Sequence, residues 1–360
     1  MTCLHLLGRR ISRSAFAALT GTVVAIVATA CGGTGVHSGG AKPEVSGPLY
    51  GWTSPTPKPL SPLTDYQDAV QVAAADHLKV WIEADLVKRW EEGPTWFRAA
   101  VRRVAVLASR PGVVGIKIAD ELGYNDGMNS ASKISQFLSA AAQALHAAAP
   151  HKLILVDTVV PQLGCLPGHQ AAGSPAAACA SREQAAYPQV ALPEVDGYLR
   201  LHAIDVLDLS TYLLPDGTYK AWGTTADAAQ TAAWQEVDKR GWPGLVRLQA
   251  RKALAHPGGY RGTSAESAAD LQTYVDIPLA HDAHAVDIWT WNQSYQGQQY
   301  RLMNPVMQPN ALWTQLERLR QAGNVLFTHF SPHSVISGVQ SDLAKIATVF
   351  TDVFLPAGTG

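Results

Sequence analysis

Residues 113–124 read VVGIKIADELGY, and the reading of this stretch decides the fold. Pro111-Gly112 breaks the chain before it, and a loop rich in Gly and Asn follows it. A short apolar run bounded by turn signals is the pattern of a buried parallel strand. The polar pair Asp120-Glu121 stands at its C-terminal end, the end at which β/α folds bind ligands. Adjacent carboxylates there are either a salt bridge to a neighbouring strand or a cap on the next helix, or they include a catalytic or sugar-binding acid.

Working outward, the same alternation recurs along the chain. Strands are predicted at 48–54, 78–85, 113–124, 152–159, 203–213, 245–250, 285–291 and 324–329. Helices are predicted at 63–77, 95–109, 130–149, 192–202, 226–240, 264–281 and 309–321, and the closing helix at 339–354. About eight strand–helix alternations without an internal linker favour a single α/β domain, a (β/α)8 TIM barrel over 48–360. No GxGxxG and no GxxxxGK[ST] occurs, which argues against an open nucleotide-binding sheet. GxSxG is also absent, so a hydrolase nucleophile elbow has no support.

The chain has 360 residues, 47% of them hydrophobic, with a net charge of -1. That balance gives no reason to expect nucleic acid as a partner. Arg9, Arg10 and Arg13 precede an uncharged run, 15–30, too short for a transmembrane span. The run ends Ala28-Thr29-Ala30-Cys31-Gly32, which resembles the lipobox of bacterial lipoproteins. Residues 1–30 are then a signal peptide, or a plain secretory signal cleaved near Ala30. On the lipoprotein reading Cys31 takes the lipid, 31–47 is a flexible tether, and the domain sits on the outer face of the cell membrane. Of the remaining cysteines, Cys165 and Cys179 share one Gly/Pro/Ala-rich segment. In an oxidising compartment they are expected to form a disulfide worth roughly 3 kcal/mol by loop closure.

In a barrel, strand ends distant in sequence meet at one rim. The predicted rim holds Glu83, Asp85, Asp120, Glu121, Asp157 and Asp208, with Tyr124, Tyr212, Trp289, Trp291 and Asn292. Several acids beside several aromatics suit a polyhydroxylated ligand, because carboxylates accept from hydroxyls and rings stack on C–H faces. His329 and His333 flank the last strand end, where a rim or metal role is open. No cofactor or resident metal is called for, and a monomer is expected.

The segments VGIKIADELGY and IWTWNQSYQGQQYRLMNP resemble parts of the retaining TIM-barrel glycoside hydrolases. The resemblance implies Glu121 as general acid/base, Asp120 as its orienting neighbour and Trp291 as a sugar platform. LVRLQARKAL and AVDIWTWNQ carry no Glu, and Asp287 stands too early in its strand to reach the rim. The second acid is then Asp157 or Asp208. Three functions follow as expectations: a lipid-anchored glycoside hydrolase, a non-catalytic carbohydrate-binding lipoprotein, or the solute-binding lipoprotein of an importer.

Overall fold

A computed structural model describes residues 63–357. The signal, Cys31, the tether and the strand expected at 48–54 lie outside the described residues. Eight parallel strands close a barrel: β1 Lys79–Glu83, β2 Val113–Lys117, β3 Leu153–Val159, β4 Val206–Ser210, β5 Arg247–Ala253, β7 Ala285–Trp289, β10 Leu326–His329 and β11 Asp352–Pro356. β11 pairs with both β10 and β1, which completes the ring. This is the TIM-barrel α/β fold. Three short strands, β6 His256–Pro257, β8 Asn292–Tyr295 and β9 Gln298–Arg301, form a separate antiparallel sheet.

The end of the chain differs from its sequence reading. The closing helix expected at 339–354 stops early, at Val339–Ile346, and the eighth barrel strand follows it. TDVFLP is β-branched and aromatic, and its pairing with β1 and β10 outweighs continuation of the helix. Residues 347–350 contain no Gly or Pro, so the break carries no local signal. The long helix expected at 264–281 is also divided. It runs Ser264–Leu271, widens to a π-helical turn over Gln272–Asp276, and ends in Ile277–Ala280. Pro278 lacks the N–H that a regular turn would need here.

The barrel interior is built in two layers. Trp81, Leu155, Val206, Ala285, Phe327 and Phe354 form one buried cluster although they come from six different strands. Only inward-facing side chains of a barrel can meet in that way. Two residues further along, the same face carries Glu83, Asp157, Asp208, Asp287 and His329, and on β2 Lys117. Side chains alternate with a period of two, so the apolar floor fixes which residues point into the polar layer above it.

Gly115 is the β2 member of the floor. A Cβ there would lie 2.2 Å from Trp81 Cζ3 and 2.9 Å from the Leu153 carbonyl oxygen. Gly115→Ala is therefore expected to destabilise the barrel by about 1–3 kcal/mol through overpacking, measured by urea unfolding. Trp81→Leu should recover part of the loss in the double variant.

Candidate functional site

The sequence around Glu121 turns sharply because β2 leaves the sheet there. Ile118 and Leu122 still donate their N–H groups to Leu155 and Asp157 carbonyls of β3, both at 2.9 Å. Here the chain reverses, with Glu121 in the left-handed region at φ 51° and Gly123, just after Leu122, at 74°. Glu121 N–H donates to the Asp157 carboxylate, and Thr158 Oγ1 donates to the Leu122 carbonyl at 2.8 Å. The Glu121 side chain accepts from Asn125 Nδ2 and lies 3.5 Å from Arg251 Nη1. Two contacts thus hold the carboxylate and a third holds its backbone.

Beneath it runs a closed circuit of ionisable groups. Lys117 Nζ is 2.7 Å from Glu83 and 2.6 Å from Asp157. Arg251 Nη1 is 2.9 Å from the same Asp157 oxygen, and its Nε is 3.7 Å from Asp287. His329 joins the remaining ends, 3.0 Å from Asp287 through Nε2 and 3.1 Å from Glu83 through Nδ1. Asp120 adds a branch, 2.9 Å from Lys117 and 3.4 Å from Arg251. Lys117, Asp157 and Asp287 are fully buried, where a charge persists only if it is paired.

The pairing sets the protonation states. Burial alone would raise the Glu83 carboxyl, but Lys117 and His329 outweigh it and hold it down at about 2. Burial would lower His329, but Asp287 and Glu83 raise it to about 9. Desolvation opposes ionisation of Asp120, yet Lys117 and Arg251 keep it well below the usual carboxylate range. For Asp157 burial prevails over the pull of Arg251 and Lys117, and the carboxyl is pushed up to about 8. Asp208 is raised well above its ordinary value by burial and then by Asp287.

Over the circuit opens a cavity of about 560 Å³. Asp120, Glu121, Arg251 and Lys252 line one part of it, and Tyr124, Tyr212, Tyr274, Trp289, Tyr295 and Tyr300 supply aromatic walls. Tyr295 and Tyr300 arrive on the β8–β9 hairpin. Its two-residue turn, Gln296-Gly297, has both φ angles positive, 48° and 75°, as the turn that matches strand twist demands. Cys165 and Cys179 are joined by a disulfide with Cα atoms 5.6 Å apart. It holds the turn Pro161–Cys165 against the helix Pro175–Ala186. Gly164 of that turn lies against the Tyr212 backbone, where a Cβ would meet the carbonyl oxygen at 2.1 Å. Among the described residues, no three His, Cys, Asp or Glu side chains are grouped to hold a metal ion.

Of the residues expected at the rim, the structure brings Asp120, Glu121, Tyr124, Tyr212 and Trp289 to the cavity. Asp157 lies under Glu121, away from solvent. Asp208 is buried too, and among the described residues neither of its carboxyl oxygens has a hydrogen-bond partner. Trp291 is not a platform. It is fully buried, donates to Asp342 at 2.8 Å and packs edge-on against Trp313. Asn292 does not line the cavity either. It donates to the Ser334 carbonyl at 2.8 Å and accepts from Arg301 Nε at 2.8 Å, tying the hairpin to the loop after β10. Asp287 stays below the rim but reaches Arg251 and His329. Lys117 and Arg251, which organise the acids, were missing from the sequence-derived site. The available signal was a Lys inside an otherwise apolar strand, GIKIA, since buried lysines are rare unless paired.

No protein-family model and no curated protein matches the sequence. Among solved structures, the chain is similar to the carboxyl transferase domain of Rhizobium etli pyruvate carboxylase, with 14% identity, a TM-score of 0.36, and coverage of 81% of this chain and 42% of that one. It is similar to a 2,3-dimethylmalate lyase of the PEP mutase/isocitrate lyase superfamily, with 14% identity, a TM-score of 0.34, and coverage of 81% and 80%. A third is Citrobacter amalonaticus methylaspartate ammonia lyase, with 11% identity, a TM-score of 0.40, and coverage of 79% and 55%. The chain spans 24% of the full-length Rhizobium etli pyruvate carboxylase it matches. No activity is carried over from these proteins.

These neighbours are a carboxyl transferase and two lyases, and the resemblance to glycoside hydrolases drawn from sequence is corrected on the geometry of the site itself. Glycosidic cleavage needs two carboxyl groups flanking a bond. Asp157 and Asp208 are fully buried and cannot flank a ligand, Asp120 is the chain neighbour of Glu121 rather than an acid across the cavity from it, and Trp291 offers no sugar face. The glycoside hydrolase and carbohydrate-binding readings are set aside.

Proposed function

We propose that this chain is a barrel enzyme that moves a proton to and from carbon on a small carbonyl compound, with Glu121 as the proton carrier. The observation that carries this reading is the setting of Glu121. Its carboxylate borders the cavity, its backbone is pinned to Asp157, and the Arg251 guanidinium stands 3.5 Å away. In the proposed step Glu121 takes a proton from the carbon next to the carbonyl. The C–H electron pair moves into the carbonyl group, and the oxygen gains negative charge beside Arg251. Return of the proton from Glu121 restores the carboxylate. Cations fixed before the reaction stabilise such charge without reorganising, and Arg251 is fixed by its carboxylates.

The test is deuterium wash-in followed by proton NMR on a panel of small ketones, keto acids and esters in D₂O. The reading expects loss of the α-proton signal of at least one panel member at a rate proportional to protein concentration. Absence of exchange across the panel overturns it.

We further propose that the barrel works on the outer face of the membrane, held by a lipid on Cys31. The support is the basic n-region, the short apolar run and the Ala30-Cys31-Gly32 sequence, with a disulfide of the kind found in oxidising compartments. Cys31→Ser should move the protein from the membrane fraction to the soluble one. An unchanged membrane fraction refutes the anchor.

A further inference from the structure

Four cations belong to the ligand end of the barrel, and three of them are spoken for: His329 faces Glu83 and Asp287. Lys117 faces Glu83, Asp120 and Asp157, and Arg251 faces Asp120, Glu121, Asp157 and Asp287. Lys252 follows Arg251 on β5 and lines the same cavity. Among the described residues it has no carboxylate at ion-pair distance; its Nζ sits 4.1 Å from the centroid of the Tyr274 ring. Tyr274 stands on the π-helical turn Gln272–Asp276. Such widened turns recur at functional sites, because they re-aim side chains that a regular helix would place elsewhere. A ring face attracts an ammonium but leaves its three N–H donors without a lone-pair acceptor.

We propose that Lys252, seated on Tyr274, receives a carboxylate of the substrate, so that the ligand is a small carbonyl-containing carboxylic acid. This rests on the proton-transfer reading of the cavity and names its substrate class. The charge balance selects the anion. Lys252 contributes one positive charge, whereas Asp120 and Glu121 line the same cavity. A monoanionic carboxylate matches the free cation, and a phosphate dianion would bring surplus negative charge toward the two acids.

The test uses the full chain and isothermal titration at pH 7.5 with malonamate, a monoanion that carries a carbonyl group, its neutral counterpart malonamide, and inorganic phosphate, on the wild type and on Lys252→Met, Lys252→Arg and Glu121→Gln. The proposal expects malonamate to bind, malonamide and phosphate to bind at least tenfold more weakly, and Lys252→Met to lose malonamate by tenfold or more. Lys252→Arg should retain binding, which separates loss of charge from loss of fold, and circular dichroism checks each variant. Equal malonamate affinity in wild type and Lys252→Met overturns the proposal, as does preference for phosphate or no malonamate binding. Glu121→Gln should still bind malonamate. If malonamate requires Lys252 while no carbon acid exchanges deuterium, the anchor stands and the proton-transfer reading falls. If exchange occurs and depends on Glu121 but malonamate ignores Lys252, the reverse holds.

Discussion

Replacing Lys117 by Met is expected to destabilise the barrel by about 3–5 kcal/mol, the usual cost of leaving buried charges without their partner. Met fills nearly the same volume, so packing is not the cause. What is lost is the cation shared by the Glu83 and Asp120 carboxylates and the Asp157 carboxyl. Glu83 keeps His329, and Asp157 keeps Arg251, so the barrel need not lose its fold outright. The measurement is the urea midpoint at neutral pH, with the slope checked for two-state behaviour. The Lys117→Met, Glu83→Gln double variant should lose less than the sum of the singles, because neutralising Glu83 removes part of the uncompensated charge. A midpoint unchanged within about 0.5 kcal/mol would show that the buried ammonium does not organise the acids.

The second large effect is on chemistry. Glu121→Gln is expected to lower deuterium wash-in by about 10²–10⁴-fold, the range for removal of a positioned general base. The fold should be retained. The backbone N–H that donates to Asp157 is unchanged, and Gln offers an oxygen to Asn125 in place of the carboxylate. Wild-type wash-in by Glu121→Gln would remove Glu121 from the reaction.

How much of this was legible in the sequence depends on the residue. Most barrel strands were readable because they are apolar runs between turn signals, and the Cys165–Cys179 pair stood out as two cysteines within one Gly/Pro/Ala-rich segment. β11 was not readable, since nothing in residues 347–350 marks the end of a helix; only pairing with β1 and β10 makes TDVFLP a strand. Asp120, Glu121 and Tyr212 were found at strand ends, where position alone predicts the rim. Trp291 and Asn292 were misplaced because the chain turns after Trp289, and the direction of a side chain beyond a strand end is set by tertiary contacts. Trp291 turns to Asp342 and Trp313, and Asn292 to Arg301 and Ser334. Lys117 and Arg251 escaped for another reason. A search for acids and aromatics passes over cations, yet here the cations decide which carboxyls ionise.

The circuit of charges is the centre of the account, and His329 is its most accessible reporter. Its folded value, about 9, is raised above the ordinary 6.5. The stability it contributes is therefore fully present below about pH 6.5 and is lost as pH rises through about 9. The most direct measurement is a nitrogen-15 NMR titration of the His329 ring, assigned by comparison with His329→Gln. The account predicts an imidazolium with both ring nitrogens protonated at pH 7.5, titrating near pH 9. A neutral ring at pH 7.5, titrating near 6.5, would contradict it and open the circuit between Glu83 and Asp287.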